Sequence, residues 1–387
     1  MMIETSLVLM QLYWNMTILY FLLFLLVLLV PDWCIYNLYV APVCPVAVQW
    51  VWWAPTVATL TAFAAANRGW YHNTCMRVFF ALVLCFVLPK LLFVLFHAVT
   101  GWQVALAAVA VVEMFLFYGF FFGWRRIVVK SVTCEDAAVP QAFDGYKVLQ
   151  LSDIHIGTFL QTPAFIEKLV RVVNAQEADI VVFTGDLVNV SATELLPFMT
   201  VLDKIRTRDG VYSVMGNHDY CEYGQDHSLS HVERNQHALV YMEEKMGWKM
   251  LMNEHVMLNR GNSQIALVGV ENIGTPPFKS HGNLGKAVEG LPVGMFKILL
   301  SHDPTHWRLG VLQTTDVQLT LSGHTHAGQF KIGRFSPSRW AYNEWGGIYT
   351  EQGRRLHVSL GIGGTVPFRF GAWPEVNVIT LKASGKQ

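Results

Sequence analysis

The chain has 387 residues, zero formal net charge and no basic run, which argues against nucleic acid as a partner. Only 14% of its residues are charged and 53% are hydrophobic, against roughly 25% charged in ordinary soluble domains, so solubility throughout is excluded. The deficit sits in the first third. Residues 1–124 carry only Glu4, Asp32, Arg68, Arg77, Lys90 and Glu113 as charges, whereas the remainder has the composition of a soluble domain.

A helix crossing a bilayer needs about 20 mostly apolar residues. Four stretches meet this length: 7–30, 46–65, 78–99 and 103–122, with Gln49 and Pro55 interrupting the second. A cleaved signal peptide is disfavoured, because no Lys or Arg precedes the first stretch and the stretch is too long. Arg68 and Arg77 flank the second turn, and Arg125, Arg126 and Lys130 follow the fourth helix. By the excess of Lys and Arg in cytoplasmic loops, both chain ends lie in the cytoplasm. The expectation is an integral protein of a bacterial-type inner membrane with a cytoplasmic catalytic domain. Cys34 and Cys44 fall in an outer turn, as a disulfide or as two thiols, and no cysteine pair has C-x-x-C metal spacing. A charge near the bilayer centre normally has a partner, and helical rise puts Lys90 and Glu113 at similar depth, so these two are expected to pair.

After a linker at 125–144, residues 145–387 alternate short Val/Ile/Leu-rich runs with helical patterns at 163–176 and 194–206. This is an α/β layered pattern, in which sites gather beyond the carboxyl ends of strands. The runs end in Asp153-x-His155, Gly185-Asp186, Gly216-Asn217-His218-Asp219, Ser301-His302-Asp303 and Gly323-His324-Thr325-His326. In a strand, residues two apart share a face, so Asp153 and His155 point together. Oxygen and imidazole donors without thiolates suit Mn, Fe or Zn. The glycines before Asp186, Asn217 and His324 allow tight turns or close backbone approach.

This series of D-x-H, G-D, G-N-H-D, H and G-H-x-H blocks resembles the calcineurin-like metallophosphoesterases over about 145–382. The resemblance implies an α/β domain, a β-sandwich flanked by helices, joined here to an N-terminal α-helical transmembrane region. It implies two divalent cations: Asp153, His155, Asp186 and His326 would hold one, and Asp186, Asn217, His302 and His324 the other. His218 would touch the substrate phosphate, with Asp219 orienting it. Two cations can clamp a phosphoryl group during in-line displacement.

Other residues carry weaker signals. Asn189 could bond a metal-bound water or make a turn, and Arg369 could reach a substrate phosphate or bind backbone. His227, His231 and His237 share a polar helix-like segment as a weak candidate second metal site. Trp340, Tyr342, Trp345 and Tyr349 crowd one loop after the last block, suiting headgroups or buried packing. The chain resembles the membrane-linked phosphodiesterase branch more than the protein phosphatases, and the UDP-diacylglucosamine pyrophosphatases of lipid A synthesis share the metal blocks. A lipid-linked phosphodiester or pyrophosphate is therefore the preferred substrate. A tethered hydrolase of soluble phosphodiesters or nucleotides, and a non-catalytic membrane scaffold, are the alternatives.

Overall fold

The computed structural model describes residues 2–67, 73–223, 226, 228–275 and 279–384, excepting the side chains of 2–17, 67, 73 and 74. Arg68 and His227 lie outside the described residues. The chain divides into two compact units, Met1–Phe117 and Tyr118–Gln387.

In the first unit the helices are α1 (Met2–Ile35), α2 (Val46–Trp52), α3 (Ala54–Asn67), α4 (Asn73–Leu82) and α5 (Leu88–His97). α6 (Trp102–Phe121) begins there, and its last turns open the second unit. Segments Ile18–Val40, Cys75–His97 and Trp102–Arg125 are long and apolar enough to cross a membrane. The second expected stretch is instead two shorter helices, parted at Trp53 just before Pro55, whose ring removes a backbone donor. The expected Lys90–Glu113 pair does not form. Lys90 Nζ lies 2.5 Å from Asp32 Oδ1 and 4.7 Å above the Trp52 ring, and Thr56 Oγ1 donates to the other Asp32 oxygen. Counting depth along two helices missed a carboxylate on a third. Cys34 and Cys44 are free thiols.

The second unit has two six-stranded mixed sheets. Its strands are β1 (Val128–Asp136), β2 (Lys147–Leu151), β3 (Ile180–Phe183), β4 (Val211–Ser213), β5 (Trp248–Met250) and β6 (Glu254–Arg260). They continue as β7 (Ser263–Gly269), β8 (Lys297–Leu300), β9 (Leu319–Ser322), β10 (Gly347–Glu351), β11 (Arg354–Val358) and β12 (Glu375–Ala383). The sheet orders are β1-β12-β2-β3-β4-β5 and β10-β11-β9-β8-β7-β6. Alternation along the strands builds the layers. Val148, Ile180 and Val182 meet Leu267, Ile298, Leu300 and Leu321 between the sheets. On the outer face of the first sheet, Leu149, Leu151, Val181 and Phe183 pack on α7 (Pro163–Asn174).

Three details depart from expectation. Residues 125–144 are not a bare linker, because they contain edge strand β1, parallel to β12. Within 194–206, Pro197 sits inside a 3₁₀ helix (Ala192–Phe198) and only α8 (Met199–Leu202) is α-helical. The long β12 had no signal, because the Gly- and Pro-rich run before it reads as loop.

Candidate metal centre

Strands β2, β3 and β4 run parallel in one sheet, and β8 and β9 run parallel in the other. Their carboxyl ends bring all five chemical blocks together: four line one cleft of about 250 Å³, and the fifth supplies His302 against Asp186. The turns after the strands are tight. Asp153, His155, Asp186, His324 and His326 all have positive φ, between 46° and 73°. L-residues adopt that region only when the surroundings hold them there. A Cβ at Gly216 would overlap the Asp186 carboxylate, and one at Gly323 would overlap Ser152 and Asp153.

Asp153, His155, Asp186 and His326 form one group of converging donors, and Asp186, His302 and His324 form a second. Asp186 belongs to both. His155 Nε2 lies 3.2 Å from His326 Nε2 and 3.5 Å from Asp186 Oδ2. His302 Nε2 lies 3.2 Å from Asp186 Oδ2, and His324 Nδ1 lies 3.2 Å from His302 Nε2. Asn217 lines the same cleft, its buried Oδ1 without a hydrogen-bond partner among the described residues while Nδ2 donates to Tyr223 Oη. Among the described residues, no lysine or arginine forms an ion pair with Asp153 or Asp186.

The electrostatics suit a cation. Burial lowers His155 to about 3 and His324 to about 4, with neighbouring positive charge adding to the effect. Both rings are therefore held neutral, the form that ligates metal. Burial would lower His302 too, but Asp186 and Asp153 outweigh it and raise this group to about 10. Burial pushes Asp153 up to about 6, whereas the His302 and His218 charges outweigh burial and hold Asp186 well below the usual carboxylate range. Convergent donors, an orphaned amide oxygen and carboxylates with no lysine or arginine paired to them among the described residues fit a pair of divalent ions.

His218 Nδ1 lies 2.7 Å from the Asn189 carbonyl, so this nitrogen carries the proton and Nε2 is left for the cleft. Tyr223 packs against the ring at 4.5 Å between centroids. The expected orienting role of Asp219 is corrected. Its carboxylate instead accepts from the backbone N–H groups of Asp186, Leu187, Val188 and Gly216, fastening two ligand turns together. Asn189 holds His218 through its backbone, while its side chain is buried against Thr158. Arg369 does not face the cleft. It is 1% exposed, donates to the carbonyls of Leu360, Ala372 and Gly363, and places Nη2 3.2 Å from His326 Nδ1. Burial lowers this guanidinium to about 10.

Residues 146–328 match the family model for calcineurin-like phosphoesterases. The uncharacterized metallophosphoesterase YkuE of Bacillus subtilis (strain 168) is 30% identical over 267 residues, covering 65% of this chain and 84% of that protein. The chain belongs to the calcineurin-like metallophosphoesterase family. A Bos taurus transmembrane protein with metallophosphoesterase domain is also 30% identical, over 64% of this chain but 55% of the relative's length. Among solved structures, a Danio rerio dimetal phosphatase aligns with 14% identity and a TM-score of 0.35, over 57% of this chain and 88% of its own.

Two metallophosphoesterase residues escaped the sequence reading. Tyr223 joins Asn217 and His218, and Tyr342 Oη lies 2.8 Å from His324 Nε2. Tyr342 was visible only as one aromatic of a crowded loop, and no spacing rule links it to His324. Of the candidate second metal site, His227 lies outside the described residues, and the described His231 and His237 join no group of converging donors. His231 bonds Asn235 and Asp226, and among the described residues only the two groups above converge.

Proposed function

We propose that this membrane-associated metallophosphoesterase hydrolyses a phosphodiester or pyrophosphate linkage carried on a lipid, with its catalytic unit on the cytoplasmic side. The observation that carries the hydrolase reading is the pair of donor groups sharing Asp186, with His218 beside them in one cleft. Asp153, His155, Asp186 and His326 would hold one ion, and Asp186, Asn217, His302 and His324 the other, with Mn, Fe and Zn all matching the donors. Bound there, such a cation pair supplies Lewis-acid polarisation of the phosphoryl group and a water of lowered pKa.

The protein's own residues do the remaining work. Asp186 and Asp219 fix the ligand turns through backbone N–H groups, including that of His218. Because His218 Nδ1 is committed to Asn189, a protonated ring donates from Nε2 to the leaving oxygen. Tyr342 steadies His324, and Arg369 steadies His326. The lipid reading is supported by the three apolar spans and the cytoplasmic side by Arg77, Arg125, Arg126 and Lys130 near their ends.

The test uses purified full-length protein in detergent, loaded with Mn, on UDP-diacylglucosamine beside a generic aryl phosphodiester, with products followed by mass spectrometry. Preferred cleavage of the lipid nucleotide is expected. Cleavage of the aryl ester alone would favour a tethered hydrolase of soluble diesters.

A further inference from the structure

The segment between the last metal-binding block and Tyr342 has a composition that a water-facing loop does not explain. Ile332 is 52% exposed, Phe335 37% and Trp340 77%. They share the loop with the exposed Arg334 and Arg339, neither of which has an ion pair or side-chain hydrogen bond among the described residues. Scattered single apolar residues need no explanation, but a clustered set rimmed by charge marks an interaction site.

The loop is built rather than slack. Ile332 and Phe335 exchange both backbone hydrogen bonds, at 3.0 and 2.9 Å, around Gly333 and Arg334. Gly333 has φ +58°, which a two-residue hairpin turn of this kind needs at its first central position. Trp340 meets Phe335 edge-on at 5.6 Å between centroids. The apolar tip is thus presented on a short, hydrogen-bonded frame.

The root of the loop rests on the end of a membrane-spanning helix. Lys331 N–H donates to the Phe370 carbonyl, and the Phe330 and Phe370 rings stack at 5.7 Å. Phe370 in turn meets Tyr118 at 6.3 Å, and Trp373 meets the same tyrosine at 5.9 Å. Tyr118 lies in the last turn of α6, within the span Trp102–Arg125. The side chain of Arg126, just past that span, lies 5.0 Å above the Trp373 ring. Aromatic rings with flanking Arg and Lys are the composition of a membrane–water interface.

We propose that the Ile332–Trp340 loop docks on the anionic surface of the membrane that its own helix crosses, inserting Ile332, Phe335 and Trp340 at headgroup depth while Arg334 and Arg339 meet lipid phosphates. Charge complementarity selects an anionic surface, and the contact is continuous with the membrane boundary marked by Tyr118, Trp373 and Arg126. The same loop is clamped to the metal-binding segment. Ser336 Oγ donates to the Ala327 carbonyl at 2.6 Å, Ser338 Oγ to the Thr325 carbonyl at 3.2 Å, and Tyr342 reaches His324. Docking therefore holds the cleft at the headgroup plane, where a lipid-borne phosphoester presents itself. This catalytic consequence rests on the lipid-linked reading above; the docking itself does not.

The test reconstitutes full-length protein in nanodiscs of phosphatidylcholine alone or with phosphatidylglycerol. Hydrogen–deuterium exchange is read over 330–342 for wild type, Phe335→Ser/Trp340→Ser and Arg334→Glu/Arg339→Glu. Protection that deepens with phosphatidylglycerol and is lost in both double variants is the expected result. Equal exchange in the two lipids would overturn the proposal. Protection that rises with protein concentration rather than anionic lipid would overturn it too, assigning the loop to a second copy of the chain.

In parallel, the Mn-loaded proteins are assayed on bis-p-nitrophenyl phosphate and on a p-nitrophenyl ester of phosphatidic acid embedded in the discs. The variants should keep their rate on the soluble diester and show KM for the embedded one raised about tenfold. Lipid-dependent protection without hydrolysis of the embedded ester would sustain docking and defeat the lipid-substrate reading. Hydrolysis of that ester by wild type and both variants alike, without lipid-dependent protection, would do the reverse.

Discussion

Both units of this protein bury charge, and they satisfy it in opposite ways. In the membrane unit Asp32 is fully buried, and Lys90 and Thr56 close around it from two other helices. Each group finds a partner of complementary kind, so the cluster is complete. In the catalytic unit Asp153 and Asp186 are as deeply buried, but imidazoles and an amide surround them and no lysine or arginine pairs with either among the described residues. Their best neighbour is His302, which the carboxylates push up to about 10 against its burial. A paired buried charge describes how helices are held together, whereas carboxylates and imidazoles that converge with no lysine or arginine paired to them among the described residues describe a place for a metal ion.

The comparison breaks most sharply at Asp186, the residue common to both donor groups. Asp186→Ala should abolish bound metal, read by elemental analysis, and lower phosphodiester turnover at least about 10³-fold. Retained stoichiometric metal would deny Asp186 its bridging place. His218→Ala should keep both ions and lose about 10²–10⁴-fold in kcat, since its ring lies beside the donors but outside both groups. Metal content and turnover falling together would instead make it a ligand.

The membrane pair should behave differently, because it has a complementary solution. Lys90→Ala leaves Asp32 buried without its cation and should cost about 3–5 kcal/mol in thermal unfolding of the detergent-solubilised protein. The double change Asp32→Leu with Lys90→Leu should recover most of that loss. No recovery would show that the pair has a role beyond mutual neutralisation.

A smaller effect lies near the metal centre. Burial pushes Glu243 up to about 8, its 1% exposed carboxyl held by Ser213 with the Asp219 charge nearby. The folded state thus binds this proton more tightly than the unfolded chain, whose carboxyl titrates at about 4.3. The resulting stability is full below that value and is lost as pH rises through about 8. Glu243→Gln should therefore flatten the fall in melting temperature between pH 7 and 9, gaining a few degrees at pH 9. An unchanged slope would place the proton elsewhere.

Much of the catalytic unit was legible because its chemistry follows strand endings. Each run that forms β2, β3, β4, β8 or β9 stops at a block of polar donors, so reading the ends of apolar runs collected every member of the two donor groups. What escaped depends on contacts between distant segments. For Arg369 the sequence left a phosphate and the backbone both open as partners, and only the fold chose: the 360–372 loop folds over it, so its guanidinium donates to carbonyls and lies against His326. Asp219 follows His218 in sequence, yet its carboxylate turns to three residues after β3. Lys90 chose Asp32 over Glu113 because partner choice in a helix bundle is set by which faces meet, and one-dimensional depth does not report faces.

The amino-acid sequence by itself determined which residues are donors and that they sit just past strand ends, because hydrophobic periodicity and tight-turn glycines are local properties. It also determined that the first third is membrane-like, since hydropathy is additive along the chain. The tertiary structure alone decided that Tyr342 supports His324, that Arg369 supports His326, and that an aromatic and basic loop stands at the end of a spanning helix. Those facts join residues tens to hundreds of positions apart, and only the packing of two sheets and one helix end brings them within a few ångströms.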